Sequence, residues 1–221
     1  MILFRFLSVC IGYACGLFLF GYFIGKAHHV DIRKKGSGNV GTTNTLRILG
    51  VRSGAVTLVL DCMKAVIAAL IVTLVFSQVA GLDAQDLKLL RLYAAFGAVL
   101  GHMFPVYFRF KGGKGIATGM GFLIIAEPRI LVVTVLIFVV LVAITRYVSL
   151  GSVMAAISLP VQGIIYYCCG FFQYGGSRNL EAFVLVSIAG CLAVILHHSN
   201  IGRLLHGNEN KFTFHPKTEN Q

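Results

Sequence analysis

Three short stretches of this chain carry side chains suited to holding phosphate and orienting a hydroxyl. Residues 36–47 read GSGNVGTTNTLR and gather Ser37, Gly38, Asn39, Gly41, Thr43 and Asn44 ahead of Arg47. Glycine lets backbone approach a ligand, while Ser, Thr and Asn cap a following helix. A helix beginning here would aim free amides at an anion, and Arg47 could add a forked contact. A capped turn leading into a helix would look the same. In the second stretch, Lys111-Gly112-Gly113-Lys114-Gly115 reads as a backbone nest with a lysine point charge. It is not a Walker A loop, which would need glycine in place of Phe108 and Ser or Thr in place of Gly115. A simple positively charged flank would explain the lysines but not the three glycines.

In the third stretch His197, Asn200 and Arg203 recur every three residues and can share one helix face. A histidine and an amide there can orient a hydroxyl or stabilise developing negative charge. A polar helix end is the plainer alternative, and it is preferred for His198. Glu209 is expected to pair with an arginine rather than act as a base. Asp61 and Lys64, one turn apart inside an apolar run, are spaced to neutralise each other and are read as structural support with an electrostatic role toward the site. Arg146 to Ser152, with Ser149, offers further hydroxyls and a cation.

Apolar runs must position these groups: about Ile2 to Gly25, Gly54 to Phe76, Leu90 to Phe108, Ile116 to Ala126, Ile130 to Thr145, Val148 to Phe172 and Ala182 to Leu196. A helix needs roughly 20 residues to cross a bilayer. The fourth run reaches that length only by starting inside the glycine cluster. Counted as seven crossings, the runs return all three polar stretches to one face. Thirteen lysines and arginines, from Lys26 to Lys217, fall on that face, against Arg5, Lys88, Arg91, Arg129 and Arg178 opposite. The positive-inside tendency makes the polar face cytoplasmic, with the amino terminus outside and the carboxyl terminus inside. The expected fold is an all-α integral membrane protein, one compact bundle of seven transmembrane helices spanning 1–221 as a single domain with a loose tail after Phe214.

Composition agrees. Of 221 residues 57% are hydrophobic and only 12% charged, against about 25% charged in soluble domains. The net charge of +11 suits anionic lipid or an anionic substrate. Nucleic acid fits poorly, because the charges sit in short loops rather than on a continuous basic surface with interleaved aromatics. All six cysteines lie in apolar runs, so no disulfide, metal or cofactor is expected. The first run, with only Arg5 ahead of it and a bulky Val9 before Cys10, reads as an uncleaved span. No acidic cluster supports a magnesium site. Neither a His-x4-Asp pair nor a Gly-x-Ser-x-Gly elbow is present.

These motifs together resemble the bacterial membrane acyl-phosphate:glycerol-3-phosphate acyltransferases, over nearly the whole chain. Ser37 to Asn44 with Arg47 resembles the first family motif. Gly101-His102-x-Phe104-Pro105, continuing through Phe110 to Gly115, resembles the second, within 101–121. His197-x-x-Asn200-Ile201-x-Arg203-Leu204 with Glu209 resembles the third, within 197–209. The resemblance implies acyl transfer from acyl-phosphate to the 1-hydroxyl of glycerol-3-phosphate, giving lysophosphatidic acid and inorganic phosphate. That is the first acylation of phospholipid synthesis at the inner membrane, with a soluble acyl-phosphate synthase upstream. It implies that Ser37 and Arg47 are essential, that Gly112, Gly113 and Lys114 bind glycerol-3-phosphate, that His197 and Asn200 serve activity and that Glu209 supports the fold. With the reading of the residues themselves, the expected site has Ser37, His197 and Asn200 as catalytic, Gly38, Asn39, Gly41, Thr43, Asn44, Arg47, Gly112, Gly113, Lys114 and Ser149 binding substrate, and Asp61, Lys64, Arg203 and Glu209 as structural support. The chain departs from the family pattern at Leu196, where arginine often stands, and at Ala65, where glycine is common. A transporter or channel for a phosphorylated anion is the competing reading. Its weakness is that no matching polar cluster lies on the other side. A lipid-binding scaffold explains the charge but not the Ser-Gly-Asn and His-x-x-Asn patterns.

Overall fold

The structure, a computed structural model, describes residues 1–212; Lys217 and the tail after Phe214 lie outside the described residues. Among the described residues the chain is helical: α1 (Ile2–Gly16), α2 (Phe20–Ala27), α3 (Thr42–Phe76), α4 (Ala84–Met103), α5 (Ile116–Ala126), α6 (Pro128–Thr145), α7 (Val148–Cys168), α8 (Arg178–Leu196) and α9 (His198–Leu205). Six segments are long and apolar enough to cross a bilayer: Ile2–Ala27, Thr42–Phe76, Ala84–Phe108, Pro128–Thr145, Val148–Cys168 and Arg178–Leu196. Helices serve here because hydrocarbon offers backbone polar groups no partner, so each segment must satisfy its own.

α4 is the axis of the bundle. Leu89, Leu90, Leu92, Ala94, Ala95 and Ala98 are buried along it, and α1, α3, α5 and α8 pack around it. Small residues let α1 approach closely. A Cβ on Gly12 or Gly16 would strike the carbonyls of Ala94 or Ala98, and one on Gly97 or Gly101 would strike those of Val9 or Tyr13. Close backbone approach of this kind is a common way for helices to associate in lipid, where apolar burial drives little. Large apolar side chains such as Leu74 and Ile144 instead point outward, as a lipid-facing surface requires.

The helix ends follow local chemistry. Asp83 and Asp86 form a capping box at the start of α4. Glu127 caps α6, with Pro128 at its first position. Ion pairs close that end of the bundle: Arg178 with Asp83 and Asp86, Arg5 with Glu181, and Arg129 with Glu127.

Three runs differ from their expected form, each near the polar end. The first breaks at Leu17 to Leu19, and the exposed carbonyls find donors: Tyr107 Oη on Leu17, and Lys64 Nζ at 3.1 Å on Phe18. The second starts twelve residues earlier than expected, at Thr42 rather than Gly54, and kinks at Gly50 (φ 84°). α5 does not begin inside the glycine cluster. It starts at Ile116 after Gly115 (φ 78°), and its 11 residues cover only about 16 Å. The chain before it lies on the last turn of α4, where Gly112 and Gly113 amides donate to the Met103 and His102 carbonyls at 3.1 and 3.0 Å. Non-helical backbone at depth is tolerable when protein covers it.

Candidate active site

The three polar stretches meet at one end of the bundle around a cavity of about 500 Å³. The loop before α3 contributes Arg33 and Ser37 to Val40. The segment between α4 and α5 contributes Tyr107, Phe108, Arg109, Lys111, Gly112 and Lys114, and α9 contributes Ser199 and Arg203. Its walls therefore carry five cationic side chains. Among the described residues Arg109, Lys111 and Lys114 have no carboxylate within ion-pair distance, so this end keeps unneutralised positive charge. Such a concave cationic site attracts and holds anions.

The first wall is built by Asn44. Its side chain, buried in the first turn of α3, donates to the carbonyls of Ile32 (3.0 Å) and Lys35 (3.2 Å) and accepts from the Ser37 amide (2.9 Å). Both its amide protons and its oxygen are bonded to backbone. Asn44 is thus the pin of the loop, not a group facing the cavity. Asn39 similarly receives the Gly41 amide at 2.8 Å. Ser37 and Gly38 do line the cavity; Gly41, Thr43 and Arg47 do not. Arg33, which sequence reasoning counted only as a basic residue, lies over the rings of Tyr22 and Phe108 at 4.8 and 4.9 Å and pairs with Asp31 at 2.8 Å. That stack ties the first loop to the second.

The second wall corrects the expected nest. With the Gly112 and Gly113 amides turned into α4, Lys114 is the donor this loop presents. The glycines are required for packing: a Cβ on Gly113 would meet the His102 ring, and one on Gly112 the His102 carbonyl.

The third wall is a polar chain. Lys114 Nζ donates to Asn200 Oδ1. Asn200 Nδ2 donates to Ser149 Oγ (2.7 Å) and Glu209 Oε1 (3.3 Å), Ser149 Oγ donates to Glu209 Oε1 (2.7 Å), and Arg203 Nε donates to Glu209 Oε2 (2.7 Å). Glu209 pairs with an arginine, as its sequence position suggested. Burial opposes its ionisation, but hydrogen bonds from Ser149 and Arg203 outweigh that and hold its carboxyl below the usual range. Both Asn200 amide protons are donated and its oxygen accepts from Lys114, so it acts as a bracket for that lysine; Ser149 and Asn200 are not among the residues lining the cavity.

His197 joins α8 to α9 and is buried. Its Nδ1 lies 2.7 Å from the Ala193 carbonyl, which can only accept, so the proton is on Nδ1 and Nε2 is a bare acceptor. Burial pushes its pKa down to about 4, and Lys114 adds to the shift, so the ring is neutral at pH 7. His198 is exposed on the other side of the joint and contacts the Ile195 carbonyl.

Burial, with Arg203 close by, also lowers Lys114 to about 8. Below that value Lys114 is a cation; above it the ammonium and its anion contact are lost. We expect kcat/KM for a phosphorylated substrate, which reports the free enzyme, to be flat between about pH 6.5 and 7.5 and to fall about tenfold per unit above pH 8. A pH–rate series in one buffer system at constant ionic strength checks this.

Fold and site together define a polytopic helical membrane protein with a cationic cavity at one end of its bundle. The chain belongs to the glycerol-3-phosphate acyltransferase family, whose sequence model matches residues 6–207, and it is a membrane acyltransferase. Relatives of that name include one from Trichlorobacter lovleyi, 36% identical over 90% of this chain and 93% of its own. Another is from Aquifex aeolicus, 36% identical over 92% and 97%. Two crystal structures of PlsY, an integral membrane glycerol 3-phosphate acyltransferase, superpose with TM-scores of 0.76 and 0.75. Each is 35% identical and covers 95% of this chain and 96% of that one; they are its glycerol 3-phosphate and lysophosphatidic acid forms.

Proposed function

We propose that the protein transfers a fatty acyl group from acyl-phosphate to the 1-hydroxyl of glycerol-3-phosphate at this cavity, releasing inorganic phosphate. The observation that carries the reading is the meeting of Ser37, Lys114 and Arg203 from three distant stretches around one cationic space. Both substrates are phosphates, and an acyl-phosphate is already an activated anhydride. The main task is holding two anions together with the hydroxyl beside the acyl carbon.

In this reading Lys114 and Arg203 take one phosphate, while Ser37 and Gly38 with Arg109 and Lys111 face the other. The glycerol oxygen attacks the acyl carbon, the bond from that carbon to the phosphate oxygen breaks, and the acyl chain leaves as the ester. His197 is buried and outside the cavity lining; its Nε2 is bare but weakly basic, and in this reading it helps to place the hydroxyl rather than keep its proton. The departing phosphate, far more basic than a ring of pKa about 4, carries that proton away.

The bundle is read as one membrane domain crossing seven times, with α5 and its preceding loop together making the short crossing. The site then faces the cytoplasm, with the amino terminus outside and the carboxyl terminus inside. The charge asymmetry supports this orientation, since most lysines and arginines lie at the site's end, while at the other end Arg5, Arg129 and Arg178 pair with carboxylates. A soluble enzyme making acyl-phosphate would supply the donor from the same side.

Purified protein given labelled glycerol-3-phosphate and, in parallel, acyl-phosphate, acyl-coenzyme A or acyl carrier protein tests the reaction. Lysophosphatidic acid should form with acyl-phosphate alone. Equal product from acyl-coenzyme A would refute the donor assignment.

A further inference from the structure

Three ionisable side chains enclosed by α3 and α4 take no part in the transfer step. Asp61 and Lys64, one turn apart on α3, and His102, in the last turn of α4, are all at most 3% exposed. Lys64 Nζ lies 2.9 Å from Asp61 Oδ1, 3.1 Å from the Phe18 carbonyl and 2.6 Å from His102 Nδ1. An ammonium has three protons, and three acceptors surround this one. His102 Nδ1 therefore accepts, its ring proton is on Nε2, and the ring is fixed in rotation.

The other edge of that ring faces the glycine loop. A Cβ on Gly113 would collide with His102 Nε2, Cε1 and Cδ2, while the Gly113 amide donates to the His102 carbonyl at 3.0 Å. The next residue is Lys114. The cluster also reaches the break between α1 and α2, where the Leu17 carbonyl accepts from Tyr107, another cavity residue. An ion pair at this depth is costly, and apolar residues would pack these helices at least as well. What the charges add is a single orientation of the imidazole.

We propose that His102, oriented by Lys64 and Asp61, is a positioning residue for the acceptor substrate. Its ring is the surface on which the Gly112-Gly113 loop is laid, and it sets where Lys114 enters the cavity. This inference rests on reading Lys114 as a phosphate ligand, so Lys114→Met is measured beside it.

His102→Leu keeps the volume but removes the acceptor and the ring edge. KM for glycerol-3-phosphate should rise about tenfold, with KM for acyl-phosphate within about twofold of the parent. His102→Asn, whose amide oxygen can take the Lys64 proton, should restore the first KM to within about threefold. Should His102→Leu fail to accumulate as folded protein, Gly113→Ala leaves all three ionisable groups in place, crowds the same ring, and carries the same expectation. A folded His102→Leu or Gly113→Ala protein with unchanged KM for glycerol-3-phosphate, or with both KM values raised equally, overturns the proposal. An unchanged KM for glycerol-3-phosphate in Lys114→Met shows that Lys114 does not hold the acceptor's phosphate, and the positioning role falls with it.

Discussion

Lys114→Met is expected to lower kcat/KM for glycerol-3-phosphate about a thousandfold while leaving the bundle folded. The lysine is the partly buried donor that the glycine loop presents beside Lys111, because the Gly112 and Gly113 amides are turned into α4. It is also the link between the second and third walls, through Asn200. Methionine keeps the length and the apolar stem but removes the charge from a partly buried site, where a charge-assisted contact to phosphate is strongest. The loss should fall mainly on KM if the contact is equal in ground and transition states, and on kcat if Lys114 serves the departing phosphate. Steady-state kinetics with each substrate varied separates the two. Lys114→Arg should recover little, since the Asn200 oxygen meets a compact ammonium and a planar fork places its donors elsewhere.

Asn44→Ala should be nearly as damaging, by another route. The substitution leaves the Ser37 amide without its 2.9 Å partner and strips the Ile32 and Lys35 carbonyls of their side-chain donor, leaving them the backbone amides of Lys35 (3.4 Å) and Gly38 (3.0 Å). Losing three hydrogen bonds at about 1 kcal/mol each should loosen the loop and with it the placement of Ser37 and Gly38. We expect activity near background and a melting temperature lower by several degrees in detergent. Asn44→Asp, which keeps an acceptor for Ser37 but loses both donations, should fall between. Activity near the parent level in Asn44→Ala would return Asn44 to the role of a direct ligand and remove the pin.

The difference between those two residues shows what the amino-acid pattern could convey. Lys114 was legible because a lysine set among glycines at the mouth of an apolar run combines a cation with backbone that a ligand can approach. Asn44 was legible only as a polar residue in a polar stretch, since which of several amides turns inward depends on Ile32 and Lys35, contacts nine and twelve residues back. The same limit applies to Asn200. Its spacing from His197 suggested a shared face toward substrate, but Lys114 and Ser149, both remote in sequence, engage its amide.

The apolar runs predicted the helices well, because in lipid the backbone has little choice. They missed the break at Leu17 to Leu19, whose carbonyls are satisfied by side chains from α3 and from the segment after α4. The Asp61–Lys64 pair was visible from spacing alone, and the two groups lie 2.9 Å apart. Its third member, His102, arrives from another helix. Arg33 carried no signal beyond its charge, since stacking on Tyr22 and Phe108 requires three segments to converge. Ala65, where family members often have glycine, is fully buried in the core and touches the packing rather than the site.

The central claim is that glycerol-3-phosphate occupies the cavity between the three loops. Ser199 lines it without belonging to the polar chain behind Lys114, so Ser199→Cys in a background with the six native cysteines replaced offers a reporter inside the site. The measurement is the rate at which a small charged thiol reagent modifies that cysteine, with and without saturating glycerol-3-phosphate and no acyl donor. The rate should fall at least about tenfold on saturation, with a midpoint matching the KM of acyl transfer, because bound ligand excludes reagent from the same space. An unchanged rate at concentrations that saturate turnover would place the substrate elsewhere and contradict the assignment of this cavity as the active site.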